Sequence, residues 1–151
     1  MLILGGGADG KFANGKANFW LSEQGKVTGQ GFTLRLDNCT RVISGLQIKN
    51  KGHGLDNGWA TKAFRVSGAV GENGPWQTLL EEQLEDTRNK LAPMRDFTFN
   101  DPVRVQFLKF DLLDYYGQTG GGLQYFAAIL DTSKHHIINL HLKIERWDCR
   151  S

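Results

Sequence analysis

Along most of the chain apolar residues recur at every second position. Phe32, Leu34 and Leu36 are separated by Thr33 and Arg35, the period of a strand that buries one face. Val42, Ser44, Leu46 and Ile48 make a second run, Phe64, Val66 and Val70 a third, Phe97 and Phe99 a short one, and Val103, Val105 and Phe107 a longer one. After Phe107 the apolar phase moves to Leu108, Phe110 and Leu112. Two phases within one long strand predict a β-bulge there. Leu123, Tyr125, Ala127 and Ile129 follow, and Ile138, Leu140, Leu142 and Ile144 form a late run with Asn139, His141 and Lys143 on its other face. The one helix-like stretch, 79–91, has EEQLEDTRNK in its middle and has room for a turn or two.

Turn chemistry separates these runs. Asn73-Gly74-Pro75 lies between two of them, and Asp101-Pro102 closes one strand before the next begins. Short strands spaced by about 8 to 12 residues, with no strand–helix alternation, predict an all-β sandwich or barrel. The expected strands are 18–22, 31–36, 41–50, 62–70, 76–84, 95–100, 103–114 and 122–130. If successive strands run in opposite directions, loops 23–30, 51–61, 85–94 and 115–121 fall at one end, and turns 37–40, 71–75 and 101–102 at the other. The first end holds the longer, glycine-rich loops, and binding residues concentrate on loops carried by a rigid scaffold.

Composition narrows the function classes. The 151 residues suffice for one ordinary domain with its own core. A net charge of +2, with 23% charged residues of both signs interspersed, argues against a disordered tail and against the basic footprint of a nucleic-acid binder. No apolar run reaches the roughly 18 residues of a membrane span, and MLILGGG is too short and uncharged for a signal peptide, so the chain reads as soluble. Glycine is the outlier at 19 residues, about twice the usual share, clustered at 5–7, 52–58 and 117–122. Nucleophilic catalysis needs a base beside its nucleophile, and no such arrangement or GxSxG motif occurs, so no enzyme is expected. Three of the four histidines, His135, His136 and His141, lie near the C-terminus, but neighbouring residues of an extended segment point to opposite faces, which disfavours a shared metal. Two cysteines, Cys39 and Cys149, allow one disulfide or two free thiols. A bond between them would close a loop of roughly 110 residues, worth on the order of 4 kcal/mol in the chain-entropy model. Asn38-Cys39-Thr40 reads as an N-glycosylation sequon. Together these features lean towards an extracellular protein, secreted or an ectodomain fragment.

The succession NFWLSEQG, GQGFTLRL, VISGLQIKN, KAFRVSGAVGENGPWQTLL, VRVQFLKFDLLDYYG and GGGLQYFAAI resembles the discoidin family, also called coagulation-factor type C domains, within the galactose-binding-domain-like fold. The resemblance spans about Asn14 to Ile129. It implies an antiparallel jelly-roll β-sandwich of about eight strands, the domain over residues 1–130; 131–151 lie beyond the resemblance and are expected as a C-terminal extension adding a strand. It further implies a non-catalytic module that binds glycans, phospholipid headgroups, collagen or proteins through loops at one end. Trp20 and Trp76 match packed family positions and are expected in the core. Arg65 faces away from Phe64 and Val66 and is expected to pair across strands. Sugar-binding relatives often hold a structural calcium near an Asp-Gly turn. Here that turn is Asn14-Gly15 and the last strand offers Tyr125 and Phe126, so no cofactor is expected, with Asp9 the one substitute carboxylate for a cation that wants oxygen ligands. The disulfide common in extracellular members is matched only in part by Cys39 and Cys149.

Candidate ligand contacts follow from the loops. In 51–59 a glycine-rich backbone carries His53, Asp56, Asn57 and Trp59; planar polar groups read sugar hydroxyls and an aromatic face covers the apolar side of a ring. The competing reading is that Asp56-Asn57-Gly58 merely makes the turn and Trp59 plugs the sandwich. Tyr115, Tyr116 and Gln118 precede Gly120–Gly122, with one tyrosine expected inward and Tyr116 the more exposed. Arg88 and Lys90 would meet anionic groups or simply solvent. A glycan or glycoprotein is the leading partner. A protein partner packing on the Ile138–Ile144 run is the alternative, membrane-surface binding through Tyr115, Tyr116 and Trp59 is less favoured, and no nucleic acid is expected.

Overall fold

A computed structural model of the chain describes residues 3–4, 19–52 and 58–131. Nine strands are found there: β1 (Ile3–Leu4), β2 (Trp20–Leu21), β3 (Gly31–Arg35), β4 (Arg41–Asn50), β5 (Thr61–Ala69), β6 (Gln77–Gln83), β7 (Met94–Val105), β8 (Phe107–Tyr115) and β9 (Gly122–Leu130). They form two antiparallel sheets. One runs β1-β9-β4-β7, with β2 also paired to β9, and the other runs β3-β8-β5-β6. The two sheets face each other as the expected all-β sandwich. No helix occurs among the described residues, and the helix-like stretch 79–91 is the end of β6 followed by a loop.

Alternation along the strands builds the core directly. Ile43, Leu46 and Ile48 from β4 meet Phe64 and Val66 from β5, Leu108 and Phe110 from β8, and Leu123 and Phe126 from β9, all without solvent exposure. Each side chain of this size contributes about 1.5–3 kcal/mol by leaving water. An aromatic cluster crosses between the sheets: Phe32 stacks on Phe110 at 5.1 Å, Phe126 meets Phe32 edge-on at 5.4 Å, and Trp20 packs edge-on to Phe110 at 5.4 Å. Trp20 therefore belongs to the core, as expected.

The expected break at Asp101-Pro102 does not occur, because β7 continues through both residues to Val105. Its pairing with β4 jumps from Ile43↔Val103 to Gly45↔Thr98. Residues 99–102 thus bulge out of the ladder, and Pro102, which has no N–H to donate, lies in that bulge. The change of apolar phase at Phe107 is not a bulge within one strand either. The chain bends at Gln106 and passes from one sheet to the other, so Val105 and Leu108 bury towards the same core from opposite sheets. Gln106 secures this corner: its N–H donates to Ala69 O at 2.9 Å, its carbonyl accepts from Leu36 N–H at 2.8 Å, and its Nε2 donates to Asp37 O at 3.0 Å.

Strand direction consequently alternates as expected, and the connections segregate. Loops 22–30, 84–93 and 116–121 share one pole with residues 51–52 and 58–60. Turns 36–40, 70–76 and the Gln106 corner share the other. Arg65 pairs across strands with Glu81 at 3.0 Å. Trp76 departs from expectation: it is half-buried but stands outside the core cluster, with the Lys109 ammonium 4.6 Å from its ring. Lys109 points away from the core, since Leu108 and Phe110 on either side fill it, so Trp76 sits on the outer face of the β3-β8-β5-β6 sheet.

Candidate functional site

Loops at the first pole are joined by a knot of buried polar side chains. Asn50 ends β4 in phase with Leu46 and Ile48, which carries its amide inward, where it is 2% exposed. Nδ2 donates to Thr61 O at 2.9 Å and to Glu85 O at 3.2 Å, while Oδ1 accepts from Thr61 N–H at 2.9 Å and Lys51 N–H at 3.0 Å. All four positions of the amide are used. Thr61, fully buried, donates from Oγ1 to Gly122 O at 2.9 Å and accepts from Gly122 N–H at 3.2 Å. Thr87, also fully buried, donates to Lys51 O at 2.8 Å. Ser22 Oγ accepts from Gly121 N–H at 3.1 Å. Four loops and the start of β9 are thereby locked together through side chains that satisfy loop backbone where water is excluded.

Trp59 stands on this base. Residue 59 bridges Gly120, and Ala60 N–H donates to Gly120 O at 3.1 Å. A side chain at Gly120 would meet the six-membered ring of Trp59 at 2.5 Å, so only glycine lets the half-buried indole lie against this backbone. Tyr115 packs on the core cluster. Tyr116 is tied at both ends: its N–H donates to Ala60 O and its hydroxyl to Leu84 O, both at 2.9 Å, and Lys62 Nζ lies 5.8 Å from the ring. It acts as a strut between two loops. Gln118 is exposed at the tip of the turn that Gly117 opens with a φ of 78°, a left-handed value that favours glycine.

His53, Asp56 and Asn57 lie outside the described residues, but both anchors of their segment belong to this pole. A side chain on Gly52 would meet Ala92 N at 2.8 Å and Lys90 O at 3.1 Å, whereas one on Gly58 would meet Thr119 Oγ1 at 2.1 Å. Gly52 thus lies beside the 84–93 loop and Gly58 beside Thr119.

The charged groups nearby are paired. Arg88 donates from Nε and Nη2 to the two oxygens of Asp86 at 3.0 and 2.7 Å, with its guanidinium against Gly117. These bonds hold the Asp86 carboxyl below its ordinary value and raise Arg88 further. Lys90 pairs with Glu85, and Lys62 with Asp114 at 3.3 Å. Lys51 instead places its ammonium 4.8 Å from the Phe19 ring. Among the described residues no three His, Cys, Asp or Glu side chains gather to hold a metal. Asp9 and Cys149 lie outside the described residues; Cys39 is buried, and no described cysteine is free.

Sequence reasoning missed Asn50, Thr61, Thr87 and Ser22. A signal was present for Asn50, a polar residue occupying the inward phase of Leu46 and Ile48.

No protein-family model matches the sequence, and no curated protein matches it. Solved structures do match, at low identity. The chitosan-binding module 2 of a chitosanase/glucanase from Paenibacillus sp. IK-5, in complex with chitotriose, is 16% identical with a TM-score of 0.56, over 74% of this chain and 77% of that one. A CBM32 module from Clostridium perfringens, in complex with GalNAc-β-1,3-galactose, is 13% identical with a TM-score of 0.56, over 74% and 75%. The family 32 module of C. perfringens NanJ, in complex with galactose, is 16% identical with a TM-score of 0.56, over 73% and 77%. The chain has the fold of family 32 carbohydrate-binding modules. These modules share the galactose-binding-like sandwich that the discoidin resemblance implied, and at such identities the likeness concerns fold alone.

Proposed function

We propose that the chain is a non-catalytic glycan-binding module whose site is the loop pole. One observation carries this: loops from four places in the sequence are locked by a buried amide–hydroxyl knot, and on it stand a half-exposed indole, Trp59, and an exposed amide, Gln118. Such a surface is rigid before ligand arrives, which spares the ordering cost that weakens shallow recognition. Trp59 covers the apolar side of a sugar ring, and Gln118 with His53, Asp56 and Asn57 exchanges hydrogen bonds with its hydroxyls. Tyr115 and Tyr116 shape the floor. Structures of the same fold in complex with chitotriose, GalNAc-β-1,3-galactose and galactose support a saccharide as the ligand class.

In this reading 131–151 extends the sandwich, Cys39 pairs with Cys149, and the module works outside the cell, in keeping with the sequon on an exposed bend at Asn38. A glycan array tests the main point. Binding to at least one sugar class is expected, with Trp59→Ala and Gln118→Ala each reducing it at least tenfold while thermal stability of Gln118→Ala stays unchanged. Absence of binding to every class at high protein concentration would refute the reading.

A further inference from the structure

A concavity lies near the opposite pole, on the outer face of the four-stranded sheet. Thr33 and Arg35 of β3 point outward because Phe32 and Leu34 between and beside them pack on the core. Directly paired residues share a sheet face, and the partners of Thr33 and Arg35 on β8 are Lys109 and Phe107. Beside this surface the 70–76 turn contributes Glu72. The result is a groove of about 220 Å³ lined by Thr33, Arg35, Glu72 and Phe107, and the half-buried Trp76 is held against neighbouring Lys109.

The chemistry of this lining is specific. Arg35 is fixed in place, with Nε donating to Asp37 O at 3.2 Å and Nη2 to Asn38 Oδ1, which leaves Nη1 for another acceptor. Glu72 is exposed and forms no ion pair among the described residues. One wall therefore donates, the other accepts, and the half-buried Phe107 ring forms the floor. A partner of either net charge would meet a like charge on one wall. A neutral vicinal diol, whose hydroxyls both donate and accept, satisfies both walls at once, and a pyranose adds an apolar face for the ring below.

We propose that this groove is a second saccharide site, which takes one neutral hexopyranose unit. Phe107 lies under the ring, Arg35 and Glu72 bind adjacent hydroxyls, and Thr33 supplies a further hydroxyl contact. The proposal shares with the loop-pole reading only the premise that the module meets saccharide, and its residues are all different.

The test is a titration of isotope-labelled protein with galactose, N-acetylglucosamine and cellotriose at millimolar concentrations, the range of weak single-sugar affinity. Saturable amide shifts at Thr33, Arg35, Glu72 and Phe107 are expected with at least one sugar. Glu72→Gln, on an exposed turn where folding is not at stake, should weaken them at least tenfold; Arg35→Gln should do the same, and Trp59→Ala should leave them unchanged. No saturable shift at these four residues with any of the three sugars overturns the proposal, as do shifts that survive both groove substitutions. Shifts here without shifts at Gln118 would reject the loop-pole site alone, and the reverse pattern would reject the groove alone.

Discussion

Removing the Asn50 amide should loosen the whole loop pole. Its two donors and two acceptor positions meet Thr61 O, Glu85 O, Thr61 N–H and Lys51 N–H, and Lys51 N–H has a further partner, Gly122 O at 3.4 Å. Asn50→Ala takes the amide away from Thr61 O and Thr61 N–H, where Asn50 and Thr61 are 2% and 0% exposed, and from Glu85 O on a more exposed residue. Each stranded group costs about 1–3 kcal/mol, less where water enters, so a loss of about 3–5 kcal/mol is expected. That is a large share of the usual 5–15 kcal/mol. For a domain of this size it lowers the melting temperature by about 6–20 °C. Urea titration gives the free energy, and hydrogen exchange at Thr61 and Lys51 locates it. Asn50→Asp separates hydrogen bonding from packing, since it keeps the shape but turns both donors into acceptors that face Thr61 O and Glu85 O. Burial raises the new carboxyl above its unfolded value, so the deficit is full above the folded pKa and shrinks as pH falls through it, when protonation restores one donor. A loss below about 1 kcal/mol for Asn50→Ala, or a pH-independent deficit for Asn50→Asp, would refute the role given to this amide.

Three further outcomes test other parts of the structure. Gly120→Ala sets a methyl 2.5 Å from a Trp59 ring carbon and 2.6 Å from Ser22 Oγ; overpacking of this kind costs about 1–3 kcal/mol, read by thermal melting together with a change in tryptophan fluorescence. The Asp86 carboxyl is held below its ordinary value near 3.8, first by its hydrogen bonds from Arg88. The unfolded chain therefore takes up this proton at higher pH than the folded one, and the pair's contribution is complete above the unfolded value and lost as pH falls through the folded value; Asp86→Asn should remove that part of the acid-side fall in a pH series of denaturation curves. The Arg65–Glu81 pair is about half exposed, so a double-mutant cycle should return a coupling below about 1 kcal/mol that salt reduces further.

Much of the fold was legible because a half-buried antiparallel strand writes its exposed and buried faces directly into the sequence. The segregation of loops followed from the same pattern, since strand parity survives errors in where a turn lies. Placing a break at Asp101-Pro102 was wrong, but the true corner at Gln106 leaves the number of reversals unchanged. Two signals were ambiguous in principle. A switch of sheet and a β-bulge both shift the apolar phase by one residue, so Phe107–Leu108 could not distinguish them. A lone aromatic at the head of a strand has no periodic neighbours to fix its face, and the family resemblance placed Trp76 in the core, whereas it lies outside with the Lys109 ammonium 4.6 Å from its ring.

The candidate site was harder to read because its construction is non-local. Clustered glycines pointed to 52–58 and 117–122 as a shared pole, yet what joins them is Asn50, Thr61 and Thr87, which look like ordinary polar residues beside turns. Loops packed this closely carry backbone donors and acceptors that no sheet ladder satisfies. An apolar plug beneath them would leave those groups unpaired at a cost of about 1–3 kcal/mol each. Short polar side chains, buried and fully bonded, resolve that conflict, and they do so from below, on the core side of the loops. Outward positions such as Gln118 are then free of any structural duty. A pole built this way can change the residues that meet a ligand without losing the geometry that presents them, whereas the other pole, secured through Gln106 and the Asp37 carbonyl at the strand ends, presents side chains whose positions the sheet itself dictates.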